Sequence, residues 1–240
     1  MKSLARGVAP AALLLAATML VGCSGSPEPT TGPSIPPGIT APPPTAPAQP
    51  TPEVTSELPA EIAGVDTTDW QQIAAPSGAS TFRIPADWTV QEADGGLDVL
   101  RPDGQRQLLY REAPDTGEGR CLDAEGVPVA WRTAILDRQD VQLAGAEGIA
   151  FGAAALQLGE QWIVSVGLRP AADAQSPSCP IINAFDSPAG TIGFASEVIV
   201  DGGGEAAAWQ VASLADGEAY LADPEFATIR AILMSLELQA

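Results

Sequence analysis

The chain has 240 residues, 11 Lys and Arg against 30 Asp and Glu, no His, and a net charge of −19. An acidic balance of this size argues against nucleic acid, whose phosphates need a basic surface, and against a polybasic contact with anionic lipid. Without His there can be no Ser–His or Cys–His nucleophile and no His-ligated metal.

Lys2 and Arg6 form a short positive stretch ahead of an apolar run of 13 residues, Val8 to Leu20. A span needs about 20 apolar residues, so this run reads as the core of a signal peptide, residues 1–22. Leu20-Val21-Gly22-Cys23 resembles the lipobox of bacterial lipoprotein signal peptides. That resemblance implies cleavage before Cys23 and acylation of its sulfur. Two or three acyl chains hold a protein durably at a membrane, since each buried CH₂ contributes about 0.8 kcal/mol. The competing reading is an ordinary secretory signal that contains a cysteine. With Lys2 and Arg6 removed, nine Arg remain against 30 acids, a net −21, and no Lys is left.

Residues 23–64 read as a tether. Ser24 to Ala60 holds 12 of the 23 prolines, among Thr, Ser, Gly and Ala. Such a segment cannot bury enough apolar surface to offset its ordering entropy, and it is expected to be disordered and partly polyproline II. Thr30, Thr31, Thr40, Thr45, Thr51 and Thr55 lie in a context compatible with O-glycosylation, with a plain spacer as the favoured reading.

Residues 65–240 have the composition of one globular domain. Phe82 and Ile84 alternate in a strand that ends at Pro85, and Trp88-Thr89-Val90 begins the next. Leu97 to Leu100, the turn Pro102-Asp103-Gly104, and Gln107 to Arg111 read as a hairpin. Val127, Val129, Trp131, Thr133 and Ile135 alternate, as do Trp162, Val164, Val166 and Leu168 after a strand-like stretch from Ile149 to Leu158. Ile192, Phe194, Val198 and Val200 predict one long strand before a tight turn at Gly202-Gly203-Gly204, and Ala206 to Val211 a last one. This period of two predicts an antiparallel sheet with one buried face.

The period then changes. Ser213 and Asp216 have capping-box spacing at the start of a helix running to Ala222, and Asp223 caps a second helix with Pro224 at its first position. Phe226, Ile229, Ile232, Leu233 and Leu236 form its apolar stripe. Strands first and helices last predict an α+β class.

Phe82-Arg83-Ile84-Pro85-Ala86-Asp87-Trp88 resembles the F-x-I-P-x-x-W opening of Mog1/PsbP-like domains. Asp216 to Leu221 and Ile229 to Leu236 resemble the closing helices of that group, and the layout is similar to actinobacterial lipoproteins of unknown function. The resemblance implies a twisted antiparallel sheet flanked by helices, and members that serve as binding or assembly factors for differing partners. It implies no shared activity, and no functional residue is carried over.

Cys121 and Cys179 are an even pair in an exported chain and predict a disulfide; no CxxC suggests a redox enzyme. The acids Asp94, Asp98, Asp137 and Asp140 are the candidates for a paired-carboxylate hydrolase, with solvated surface acids as the plainer reading. No window fits a calcium loop, and no cofactor or metal is expected. Of the five Trp, Trp88, Trp131 and Trp162 fall on core positions of strands, while Trp70 and Trp209 are less determined. Should the sheet and the terminal helices splay apart, an apolar pocket is expected between them. The leading expectation is a non-catalytic binding or assembly domain anchored at the extracytoplasmic face of the cell membrane, meeting an envelope protein or an apolar or glycan ligand. The alternative is an Asp/Glu-dependent hydrolase of cell-wall glycan.

Overall fold

A computed structural model describes residues 60–117, 121, 127, 129–201 and 209–239. The signal peptide, Cys23, the tether up to residue 59, the triple-glycine turn and Ala206 to Ala208 lie outside the described residues. The described residues begin inside the stretch read as tether. β1 (Glu61–Ile62) and β2 (Val65–Asp66) pair as a hairpin whose turn places Ala63 and Gly64 at positive φ. β3 (Gln71–Ala74) then pairs with β4 (Ser80–Ile84).

β5 (Thr89–Ala93) follows and pairs with β6 (Gly96–Leu100), which forms the expected hairpin with β7 (Arg106–Glu112). Two long strands, β8 (Trp131–Leu143) and β9 (Ala146–Leu158), run into β10 (Gln161–Pro170). A short helix α1 (Ala171–Gln175) and strands β11 (Ile181–Ile182), β12 (Ala184–Ser187), β13 (Gly190–Ala195), β14 (Ile199–Val200) and β15 (Gln210–Val211) come next. The chain closes with α2 (Leu214–Tyr220), α3 (Pro224–Met234) and β16 (Glu237–Leu238). The main sheet is ordered β5-β6-β7-β13-β10-β9-β8, with β12 against β13 and β15 against β10. Among the described residues every pairing is antiparallel, so the α+β class and the antiparallel sheet stand.

Both helix caps form as their local chemistry dictates. Ser213 accepts from the Asp216 N–H at 3.2 Å, and Asp223 accepts from the Glu225 N–H at 2.8 Å. All five stripe residues of the last helix segment are buried. They share one core with Phe151, Val166 and Leu168 of the main sheet and with the ring trio Phe82, Tyr110 and Phe194, whose centroids lie 4.8–5.8 Å apart. β16, which no sequence pattern announced, adds an edge to β4 and ties the end of α3 to the start of the domain.

Three expectations need correction. First, the sheet is buried on two faces. Ile149, Phe151 and Ala153 face the helices, while Ala154 and Leu156 face a second cluster with Ile163, Ile181 and Val200. A near-continuous apolar run such as Ala150 to Leu156 is what burial on both faces requires. Second, the strand read from Ile192 to Val200 is two strands. At the break, Ser196 donates its N–H to the Val166 carbonyl at 2.8 Å and accepts from the Val166 N–H at 3.2 Å.

Third, Trp131 is not core. It is 46% exposed, and Ile135 is 49% and Val127 55% exposed. The cause is a bulge in β8. Ile135 opposes Ala154 and Asp137 opposes Ala153, which leaves Leu136 as the extra residue. Odd positions before the bulge therefore face the second side of the sheet, at its outer edge, where cover is thin. After it they face the helices, and Val141 and Leu143 are buried there. Trp88, Trp162 and Trp209 are buried, and Trp70 packs half-buried on the main core.

Candidate functional site

A cavity of about 440 Å³ opens where the sheet and the terminal helices part. Its floor is Val164 of β10 and Gln107 of β7. Arg101 and Gln105 reach it from the turn between β6 and β7, and Trp209 to Val211 form one wall. Asp216, Ala219 and Tyr220 of α2 and Asp223 and Glu225 at the start of α3 complete it. The location is the one the sequence points to, but the lining is polar, which corrects the expected apolar pocket. A fatty chain would desolvate these carboxylates, amides and the guanidinium and offer them no hydrogen bond in return.

Arg101 organises one side. Its Nη1 donates to Glu225 Oε2 at 2.5 Å and its Nη2 to Asp103 Oδ2 at 2.7 Å; Nη2 also donates to Gln105 Oε1. The two carboxylates hold its pKa above the ordinary value, Glu225 contributing most. Tyr220 stands edge-on to Trp209, with centroids 5.1 Å apart, and its hydroxyl lies 3.4 Å from Glu225 Oε1. Burial first, then the Glu225 charge, raises the Tyr220 pKa, so the phenol stays protonated and donates. Two aromatic rings with amides and carboxylates around them suit a ligand with apolar ring faces and many hydroxyls, the chemistry of a sugar.

The four acids singled out in the sequence do not converge. Asp98 pairs with Arg111 at 2.5 Å, Asp137 with Arg230 at 3.2 Å and Asp140 with Arg138 at 2.6 Å, while Asp94 sits at positive φ in the β5–β6 turn. Sequence reasoning passed over Glu197, which pairs with Arg106. Burial raises the Glu197 pKa, and the nearby Asp98 charge adds to the rise. Neither acid lines the cavity. It also passed over Gln105, Gln107 and Glu225, which only the tertiary fold brings together.

Cys121 and Cys179 are joined by a disulfide with a Cα–Cα distance of 6.1 Å. It pins the segment after α1 over the second sheet face, where Thr133 also donates to the Pro177 carbonyl at 2.7 Å. Among the described residues, no group of three or more Cys, Asp or Glu is placed to hold a metal ion.

No protein-family model matches this chain, and no curated protein does. Among solved structures, it is similar to cyanobacterial PsbP (CyanoP) from Synechocystis sp. PCC 6803, with 10% identity and a TM-score of 0.34 over 73% of this chain and 96% of that one. A likeness of that size supports no argument about function.

Proposed function

We propose that this protein is a cell-envelope lipoprotein whose domain, of Mog1/PsbP-like type, binds a polar ligand and catalyses nothing. Cys23 carries the lipid, residues 24–60 hold the domain away from the extracytoplasmic face of the membrane, and a glycan segment enters the cavity beneath α2. The observation that carries the ligand class is the cavity wall, where Trp209 and Tyr220 stand among Gln105, Gln107, Asp216 and Glu225. Sugar rings present apolar faces to aromatics and hydroxyls to amides and carboxylates. The test is retention of the full chain on purified cell-wall glycan. Retention that Trp209→Ala weakens supports the reading, and passage of the wild-type protein without delay overturns it. Cys23→Ala is expected to move the protein from the membrane fraction to the medium.

One observation favours the hydrolase alternative: burial raises the Glu197 pKa, as a glycosidase's general acid requires. Against it, Glu197 and Asp98 both hold guanidinium partners and lie away from the cavity. Release of reducing ends from cell-wall glycan, lost in Glu197→Gln, would replace the binding reading with this one.

A further inference from the structure

The sheet face turned away from α2 and α3 holds a guanidinium with too few partners. Val164, Val166 and Leu168 of β10 point toward the helices, so Ile163, Ser165 and Arg169 point to the other side. Arg169 is 1% exposed. Of its five N–H donors, Nη2 serves the Gly152 carbonyl at 2.7 Å, while Nε and Nη1 are buried without a hydrogen-bond partner.

The fold makes room for this side chain. A Cβ on Gly152 would lie 2.9 Å from Arg169 Nε and 3.3 Å from the Ala174 side chain, so β9 carries no side chain there. Burial lowers the Arg169 pKa to about 10, with the Asp173 charge opposing, which leaves the group cationic at neutral pH. Yet no carboxylate forms an ion pair with it among the described residues. A buried cation that is neither paired nor fully hydrogen-bonded is costly, and native proteins supply a counter-charge.

A cavity supplies the space for one. Arg169 lines a pocket of about 240 Å³ whose other walls are Asp173, Pro177, Ser178, Pro180, Ile181 and Ile182. Asp173 and Ser178 are exposed at its mouth, and the disulfide at Cys179 runs through the same loop. Guanidinium is the side chain best matched to carboxylate and phosphate, which it meets through paired hydrogen bonds.

We propose that this pocket is a binding site for a small oxyanion, a carboxylate or phosphate group that also carries a hydrogen-bond donor. The oxyanion pairs with Arg169, the donor faces Asp173, and Ile181 and Ile182 pack against the remainder. Asp173 repels an anion without such a donor, so hydrogen phosphate and a 2-hydroxy acid fit better than acetate or chloride. The site lies on the opposite sheet face from the cavity beneath α2 and does not depend on the glycan reading.

The test is the thermal midpoint of the full chain in sodium chloride, acetate, phosphate and lactate at matched ionic strength. With a chain charge of −19, diffuse anion binding is weak, so a saturable rise reports a local site. At about 100 times Kd, the midpoint is expected to rise about 5–10 °C over chloride. A rise in phosphate alone or in lactate alone identifies which oxyanion the pocket takes. Arg169→Met should abolish the rise. Because that change removes a buried group and puts the fold at risk, Ser178→Trp provides a second arm: it closes the mouth from an exposed position and leaves Arg169 intact. Loss of the rise in Ser178→Trp, with its chloride midpoint unchanged, supports the site. Equal midpoints in all four salts, or a full rise retained in Ser178→Trp, would overturn it.

Discussion

Arg101 and Glu225 stand 124 positions apart in sequence, and Nη1 of one lies 2.5 Å from Oε2 of the other. The pair fastens the turn between β6 and β7 to the first turn of α3 and forms one wall of the polar cavity. Both side chains are about one quarter exposed, so solvent screens much of the attraction. Arg101→Met is expected to cost about 1 kcal/mol or less in urea unfolding. It should weaken ligand retention more than that loss of stability explains, because Glu225 and Gln105 lose the group that orients them.

Gly96 presents a sharper constraint. A Cβ there would lie 1.9 Å from the Tyr110 carbonyl oxygen and 2.9 Å from the Arg111 Cα, both backbone atoms that cannot move aside without parting β6 from β7. Gly96→Ala is predicted to cost about 3 kcal/mol or more. Unfolding within 1 kcal/mol of the wild type would show that the hairpin is looser than the structure has it.

Cys121→Ser with Cys179→Ser opens a loop of 58 residues. Chain entropy predicts a loss of about 4 kcal/mol on a scale where whole domains have about 5–15. Urea unfolding of the oxidised and reduced wild-type protein should show the same difference.

The bulge in β8 leads to a paired prediction. Trp131→Ser should change stability by no more than about 0.5 kcal/mol, because the ring is nearly half exposed. Phe194→Ala, fully buried within the ring trio, should cost about 3–5 kcal/mol. If Trp131→Ser costs as much as Phe194→Ala, the register of the strand is wrong.

What the sequence reveals and what it hides divide along the same line. The last helices were legible because their signals are local: Ser213 and Asp223 cap them, Pro224 starts the second, and the stripe from Phe226 to Leu236 repeats at helical spacing. The hairpin from Leu97 to Arg111 was legible for the same reason. The burial of Trp131 was misread because a single inserted residue, Leu136, reverses which positions face the core, and nothing in an alternating pattern marks the insertion. The two-sided sheet was missed because its second cover includes Ile181, in a stretch that shows no period, and Val200, read as the end of one long strand. The place of the cavity followed from the helices, but its polarity did not, since its walls are drawn from Arg101 through Glu225. Arg169 gave no sign of itself, because burial of a charge is a property of the packed fold.

Glu197 predicts a pH effect. Burial lifts its folded-state pKa above the ordinary 4.5, so the folded protein holds this proton more tightly than the unfolded chain. Its contribution to stability is therefore fully present below pH 4.5 and is lost as pH rises through the raised folded value. Glu197→Gln should remove that decline, read as a flatter plot of unfolding midpoint against pH above 4.5. An identical slope in the variant would mean that Glu197 titrates normally.

The most direct test of glycan binding is calorimetric titration of the full chain with soluble cell-wall oligosaccharide, beside the variant Ala219→Trp. Ala219 is exposed on α2 at the cavity wall, so a bulky ring there fills the cavity without entering the core. The account predicts saturable binding by the wild-type protein, at least tenfold weaker in the variant, with no oligosaccharide cleaved. Binding of equal strength in both proteins, or none in the wild type, would contradict it.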